Sequence, residues 1–324
     1  MEATFKAVLN ELAQPLAAIR QSSLCSLIPL FIQMYSNRKD VPVIELRQLR
    51  YFSIYLKKLR DPDSSSLLSL LLQALQIIMC NPMNRRLLQQ DASLIDISVM
   101  KLELSPDTPS VLHEVLRLVT ILCYEVTNVP PCLARGLLPL IFAIWRRSSD
   151  DLILIDVLSL LQAVCCCRAG RLQLQAHEER VFVHLTSYLS SEHPQICARA
   201  AGIFHNLSIE GSLLRALRES GLIPVLGELL TIPDRDTVRA VVGTVQNMSR
   251  EHQSRRIMLE QPELVPRIVH LVFGTDLSSQ TAAAGALLNL LGPSLSSAEL
   301  DSLRAFLSDG IALGVIRSSL FDVG

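Results

Sequence analysis

The chain predicts an all-α solenoid, on three observations. A nine-residue pattern recurs as AAGIFHNLS ending at Ser208, VVGTVQNMS ending at Ser249 and AAGALLNLL ending at Leu291. Its asparagines, Asn206, Asn247 and Asn289, lie 41 and 42 residues apart. Hydrophobic residues make up 49% of the 324 and aromatics only 5%. That balance suits helices packed through Leu, Ile, Val and Ala better than a β-sandwich, whose strands favour β-branched and aromatic side chains. A period of ~40–47 residues with helical patterning means stacked helical units that bury their apolar faces against one another.

The elements follow in order from this period. The asparagine slot walks back to Ala163, Ile121 and Ile77, giving steps of 44, 42, 43, 41 and 42 along the chain. Prolines form a second landmark in SLIPLF (Pro29), GLLPLI (Pro139), GLIPVL (Pro224) and ELVPRI (Pro266), with His184 of FVHLTSYL in the same slot. Proline is tolerated in the first helical turn, where its missing N–H has no partner, so each is expected to mark a helix start. Loops at 61–66, 105–110, 148–151, 190–194 and 231–236 carry turn chemistry, and a Ser, Thr or Asp before the next apolar run supplies an N-cap.

Residues 1–63 do not keep the period and are expected to be atypical N-terminal capping helices, with VIELRQLRYFSIYLKKL as one longer helix. Residues 64–292 carry repeats of about 42 residues. Residues 293–324 are expected to be C-terminal capping helices, with Ser297–Phe321 a helical pair. Terminal repeats depart from consensus because one face meets water. The whole is expected to be one continuous domain, an armadillo/HEAT-like right-handed superhelical solenoid of about six or seven repeats.

Composition bounds the function. A net charge of −1 gives no global field for nucleic acid or anionic lipid, and 5% aromatics supply few stacking platforms, so no nucleic-acid partner is expected. No apolar run reaches the ~18 residues of a membrane span. The chain has 25 arginines and five lysines, none after Lys101. The N-terminus is amphipathic and mixed in charge, unlike a secretory signal. Eight cysteines lie mostly within apolar helical runs, which implies a reducing compartment, cytoplasmic or nuclear.

No constellation points to chemistry. Cys165, Cys166 and Cys167 are adjacent on a helix and so point apart, whereas structural zinc needs separated ligands. Neither a metal nor a cofactor is expected. The seven histidines show no catalytic spacing, so no catalytic residue is assigned and the chain is read as non-enzymatic. Asn206 and Asn247 begin glycosylation sequons, which are discounted as lying within helices. Arg146-Arg147 and Arg255-Arg256 read as solvated helix ends.

Residues 195–230, QICARAAGIFHNLSIEGSLLRALRESGLIPVLGELL, resemble an armadillo repeat of the beta-catenin and plakoglobin type. The likeness rests on AAG, HNLS, the glycine after the acid and SGLIPVL, and extends over roughly 64–292, most clearly in the last three repeats. It implies that the third helix of each repeat lines a concave groove, where asparagines hold the backbone of an extended peptide. An asparagine amide both donates and accepts, so it can pair with a peptide unit of any sequence. Residues four and seven earlier share its face.

The partner-binding residues expected on this basis are Arg199, Gly202, His205, Asn206, Gly243, Asn247, Gly285, Asn289 and Arg117. Upstream slots read Glu114, Arg117, Asp156 and Ser159, so an acidic ligand is not implied along the full length. The importin-alpha-like pattern has tryptophan four residues before the asparagine; here those positions are Gly202, Gly243 and Gly285, and the only tryptophan is Trp145. The expected function is a scaffold or adaptor that holds an extended or helical segment of a protein partner. The alternatives are a regulatory subunit or chaperone cofactor that controls a partner enzyme, and docking through an apolar terminal cap near Phe306–Phe321.

Overall fold

A computed structural model describes residues 2–15, 19–36, 41–59, 65–104, 108–176 and 178–321. The described residues are 82% helical, and no strand occurs among them. The chain divides into two compact units, Met1–Gly170 and Arg171–Gly324.

The first unit begins with α1 (Glu2–Leu12), α2 (Gln21–Tyr35) and α3 (Leu46–Lys58). It continues with α4 (Ser65–Cys80), α5 (Pro82–Arg86), α6 (Ser93–Leu104), α7 (Pro109–Cys123), α8 (Val129–Ala134), α9 (Leu137–Arg147) and α10 (Asp151–Cys166). The boundary falls inside α11 (Arg168–Gln175). The second unit continues through α12 (Glu178–Tyr188), α13 (Pro194–Ser208), α14 (Leu214–Glu219), α15 (Leu222–Leu229) and α16 (Arg235–Met248). It closes with α17 (His252–Leu259), α18 (Leu264–Val272), α19 (Leu277–Leu291) and α20 (Ser297–Phe321).

The repeat is a short helix, a middle helix and a long third helix. Among the described residues five complete sets end in α7, α10, α13, α16 and α19, and α3 with α4 forms a partial one, against the about six or seven expected. Third helices stack on third helices: α4 on α7 and α7 on α10 in the first unit, α13 on α16 and α16 on α19 in the second. The slots Ile77, Ile121, Asn206, Asn247 and Asn289 are half-buried and Ala163 is buried, each near the last turn of its third helix. The corners between α8 and α9 and between α14 and α15 take a left-handed backbone, supplied by Gly136 (φ 81°) and Gly221 (φ 78°). Asp150, Asp234 and Asp276 cap α10, α16 and α19 through bonds from Leu152 N (2.8 Å), Thr237 N (2.9 Å) and Ser279 N (2.9 Å).

Several expectations change. Pro139, Pro224 and Pro266 are each the third residue of their helix. Pro29 instead lies inside α2, and His184 is the seventh residue of α12. Burial of Leu24, Ile28, Phe31 and Tyr35 holds α2 helical around the proline. The long N-terminal helix is shortened to α3 because a Glu45–Gln48 capping box starts it at Leu46. The C-terminal pair is the single helix α20. Its Gly310 does not break the helix but permits close approach, since a Cβ there would lie 2.7 Å from Val272 Cγ1. The loop expectations at 61–64 and 105–107, and His177, fall outside the described residues.

No single helix among the described residues is long and apolar enough to cross a membrane. Three adjoining pairs reach that length and composition only across bends of 100°, 80° and 112°.

Candidate partner-binding surface

The stack of α13, α16 and α19 brings together eight of the nine expected residues. Arg199, Gly202, His205 and Asn206 lie on α13, Gly243 and Asn247 on α16, and Gly285 and Asn289 on α19. Arg117 is exposed on α7, in the first unit. Arg199 is also exposed.

The asparagines hold the stack itself. Asn247 Nδ2 donates to Ser208 Oγ at 3.1 Å. Asn289 Nδ2 donates to Ser249 Oγ at 3.0 Å and to the Gln246 carbonyl at 3.2 Å. Each amide is thereby fixed in orientation, and among the described residues no donor reaches Oδ1 of either. An acceptor held in this way can take a main-chain N–H from another chain.

The glycines and His205 are packing residues, which corrects their assignment to the partner surface. Gly202 and Gly243 are buried. A Cβ on Gly243 would lie 2.5 Å from His205 Cε1 and Nδ1, and one on Gly285 would lie 2.2 Å from Gln246 Nε2. The residues before Asn206 and Asn247 thus cover the glycines of the next repeats, Gly243 and Gly285. Expected at the surface, His205 is half-buried, with its Nδ1 enclosed and unpaired. Burial pushes its imidazole below the ordinary histidine value.

In the first unit the upstream slots also join neighbouring helices. Glu114 and Asp156 are each 8% exposed, which removes them from any open surface. Gln73 and Gln76 of α4 donate to the Glu114 carboxylate at 2.7 and 2.6 Å, and His113 Nδ1 pairs with Asp156 Oδ2. Burial raises the Asp156 carboxyl above the usual range, opposed by His113 and Arg117. Ser159 donates back to Ile155 O at 2.7 Å.

Sequence reasoning missed a second set of polar anchors. Asn84 is fully buried and donates to Ile78 O (2.8 Å) and Pro42 O (2.9 Å), while its Oδ1 accepts from Ile44 N (2.9 Å). Asn128, 44 residues later, donates to Leu122 O (3.0 Å) at the matching place after α7. Their shared spacing was the available signal. Arg255 is not a solvated helix end: its Nη1 donates to Ser249 O and Arg250 O just after α16, as Arg85 Nη1 donates to Met79 O and Cys80 O at the end of α4. In the Cys165–Cys167 run the first and last thiols are buried and Cys166 is exposed. No group of three or more potential metal ligands occurs among the described residues.

Residues 214–250 match the Armadillo/beta-catenin-like repeat family. A designed armadillo repeat protein superposes with a TM-score of 0.65 at 15% identity, over 74% of this chain and 99% of its own. The fold is that of an armadillo-repeat protein. A second designed armadillo repeat protein, solved in complex with the peptide (KR)4, gives a TM-score of 0.63 at 15% identity, over 74% of this chain and 99% of its own. A structure from work on the phosphorylation-controlled interaction between cadherin and beta-catenin gives 0.67 at 14% identity. It spans 87% of this chain and 55% of its own. No protein of curated function matches the sequence significantly. The matched repeat runs from α14 to just beyond α16, so it contains Gly243 and Asn247 of the armadillo stack.

Proposed function

We propose that this armadillo-repeat chain is a non-enzymatic scaffold or adaptor that holds an extended segment of a protein partner along α13, α16 and α19. The observation that carries the reading is the pair of anchored asparagines, Asn247 and Asn289, whose Oδ1 atoms receive no donor among the described residues. Spaced one repeat apart, they offer acceptors to an extended main chain, and exposed Arg199 adds side-chain selectivity. The neighbours solved with a peptide and from work on a cadherin interaction support a protein ligand. A scaffold of this kind acts in the cytoplasm or nucleus, where the eight cysteines remain thiols.

The test is site-specific photocrosslinking. A benzoylphenylalanine replaces Arg199, or, as a control, Arg215 on α14, whose side chain is 78% exposed. Crosslinks to a discrete partner at position 199 and not at 215 support the reading. Crosslinks at 215 alone, or equally at both, reject it in favour of another face.

A further inference from the structure

We propose that the cavity between the ends of α16 and α19 and the start of α20 binds a phosphate monoester. The cavity measures about 390 Å³, within the small-ligand range. Arg250, Arg255 and Arg304 line it beside Asn289, over an apolar floor that includes Leu288 and Pro293. No carboxylate lines it.

Two of the three guanidinium groups are held in place by the chain. Arg250 Nε donates to Asn247 O at 3.0 Å, and its Nη2 to Ser208 O and Ile209 O at 3.1 and 3.3 Å. Arg255 Nη1 donates to Ser249 O and Arg250 O at 3.0 and 2.9 Å. These bonds satisfy the carbonyls that would otherwise repel an anion and fix both planes, so little rotamer freedom remains to be lost on binding. Arg250 Nη1 and Arg255 Nη2 donate to nothing else among the described residues, and neither arginine pairs with a described carboxylate. Among the described residues Arg304 meets only Asp301, one turn earlier on its own helix, at 3.1 Å.

Two cations with no described carboxylate partner, and a third that meets only Asp301, outweigh a single carboxylate. A phosphate monoester brings a charge of about −1.5 to −2 and three acceptor oxygens, which suits three guanidinium groups. The site does not require a segment along α13, so failure of the Arg199 crosslink leaves it standing.

The experiment is calorimetric titration of the whole chain at matched ionic strength. The probes are inorganic phosphate and acetyl-Gly-Ser-Gly-amide in phosphorylated, unmodified and Ser→Asp forms. Variants are Arg304→Glu and Arg304→Lys, at an exposed position whose change leaves the packing intact. Saturable binding of phosphate or the phosphopeptide is expected, weakened about tenfold or more by Arg304→Glu and largely kept by Arg304→Lys. Tighter binding of the phosphopeptide than of inorganic phosphate identifies a phosphorylated chain as the source; equal affinities identify a small phosphorylated solute. No saturable binding of either, unchanged affinity in Arg304→Glu, or equal affinity for the Asp peptide overturns the proposal.

Discussion

The imidazole of His205 lies against Gly243 of the next repeat, so close that a Cβ on the glycine would fall 2.5 Å from the ring. Gly285 stands in the same relation to Gln246, at 2.2 Å from Nε2. The two contacts differ in what can yield, because a half-buried ring moves less readily than the end of a flexible amide.

Gly243→Ala is therefore expected to lower stability by about 1–3 kcal/mol, the range for overpacking. Gly285→Ala should cost less, since Gln246 can swing away and alanine favours the helix by up to ~1 kcal/mol. Urea denaturation followed by circular dichroism compares them; equal losses would remove the ring contact as the cause.

His205 should make stability pH-dependent. Its folded value lies below the unfolded one of about 6.5, so the unfolded chain binds the proton more readily. The contribution is complete above about pH 6.5 and falls as pH drops through that value towards the lower folded one. Melting curves at pH 5 and 7 should show a smaller loss for His205→Gln than for the parent chain. An identical pH response would mean that His205 is not the titrating group.

Asn84→Ala removes two donors and one acceptor from a buried site, leaving Ile44 N and two carbonyls without this partner. A loss of about 2–4 kcal/mol is expected, on ~1–3 kcal/mol for a buried group left unsatisfied. Hydrogen exchange at Ile44 should accelerate before exchange in α7 does. Unchanged protection at Ile44 would show that residues 41–44 are held by something else.

Asp276 caps α19 and receives Arg239 from α16, whose guanidinium holds its carboxyl well below the usual range. That contribution is present above the ordinary carboxylate value near 4 and is lost as pH falls through the depressed one. Asp276→Ala should cost about 1 kcal/mol through the cap. Asp276→Asn should keep much of the cap and lose the ion pair, so added salt should destabilise the parent chain more than this variant. Thermal melts at low and high salt measure the difference.

The repeat was legible because the spacing of its apolar runs recurs along the chain whether the slot holds Asn206, Ala163 or Ile77. Capping aspartates were equally local, and local signals survive reading from one sequence. The roles of Gly243, Gln246 and Asn84 were not legible, because their partners lie one repeat away. A small residue reads alike whether it admits a ligand or a neighbouring side chain. Pro29 misled for the opposite reason: a local rule yielded to the burial of Phe31 and Tyr35.

In the second unit Asn247, Arg250, Arg267 and Asn289 all donate to groups about one repeat earlier in the chain, at Ser208, Ile209, Gly227, Gln246 and Ser249. During synthesis the acceptors leave the ribosome first. For these four side chains each newly emerged helix meets a finished template, and they need not wait for sequence still being translated. Loss of an anchor should therefore be felt by the repeats made after it, while those made before it keep their shape.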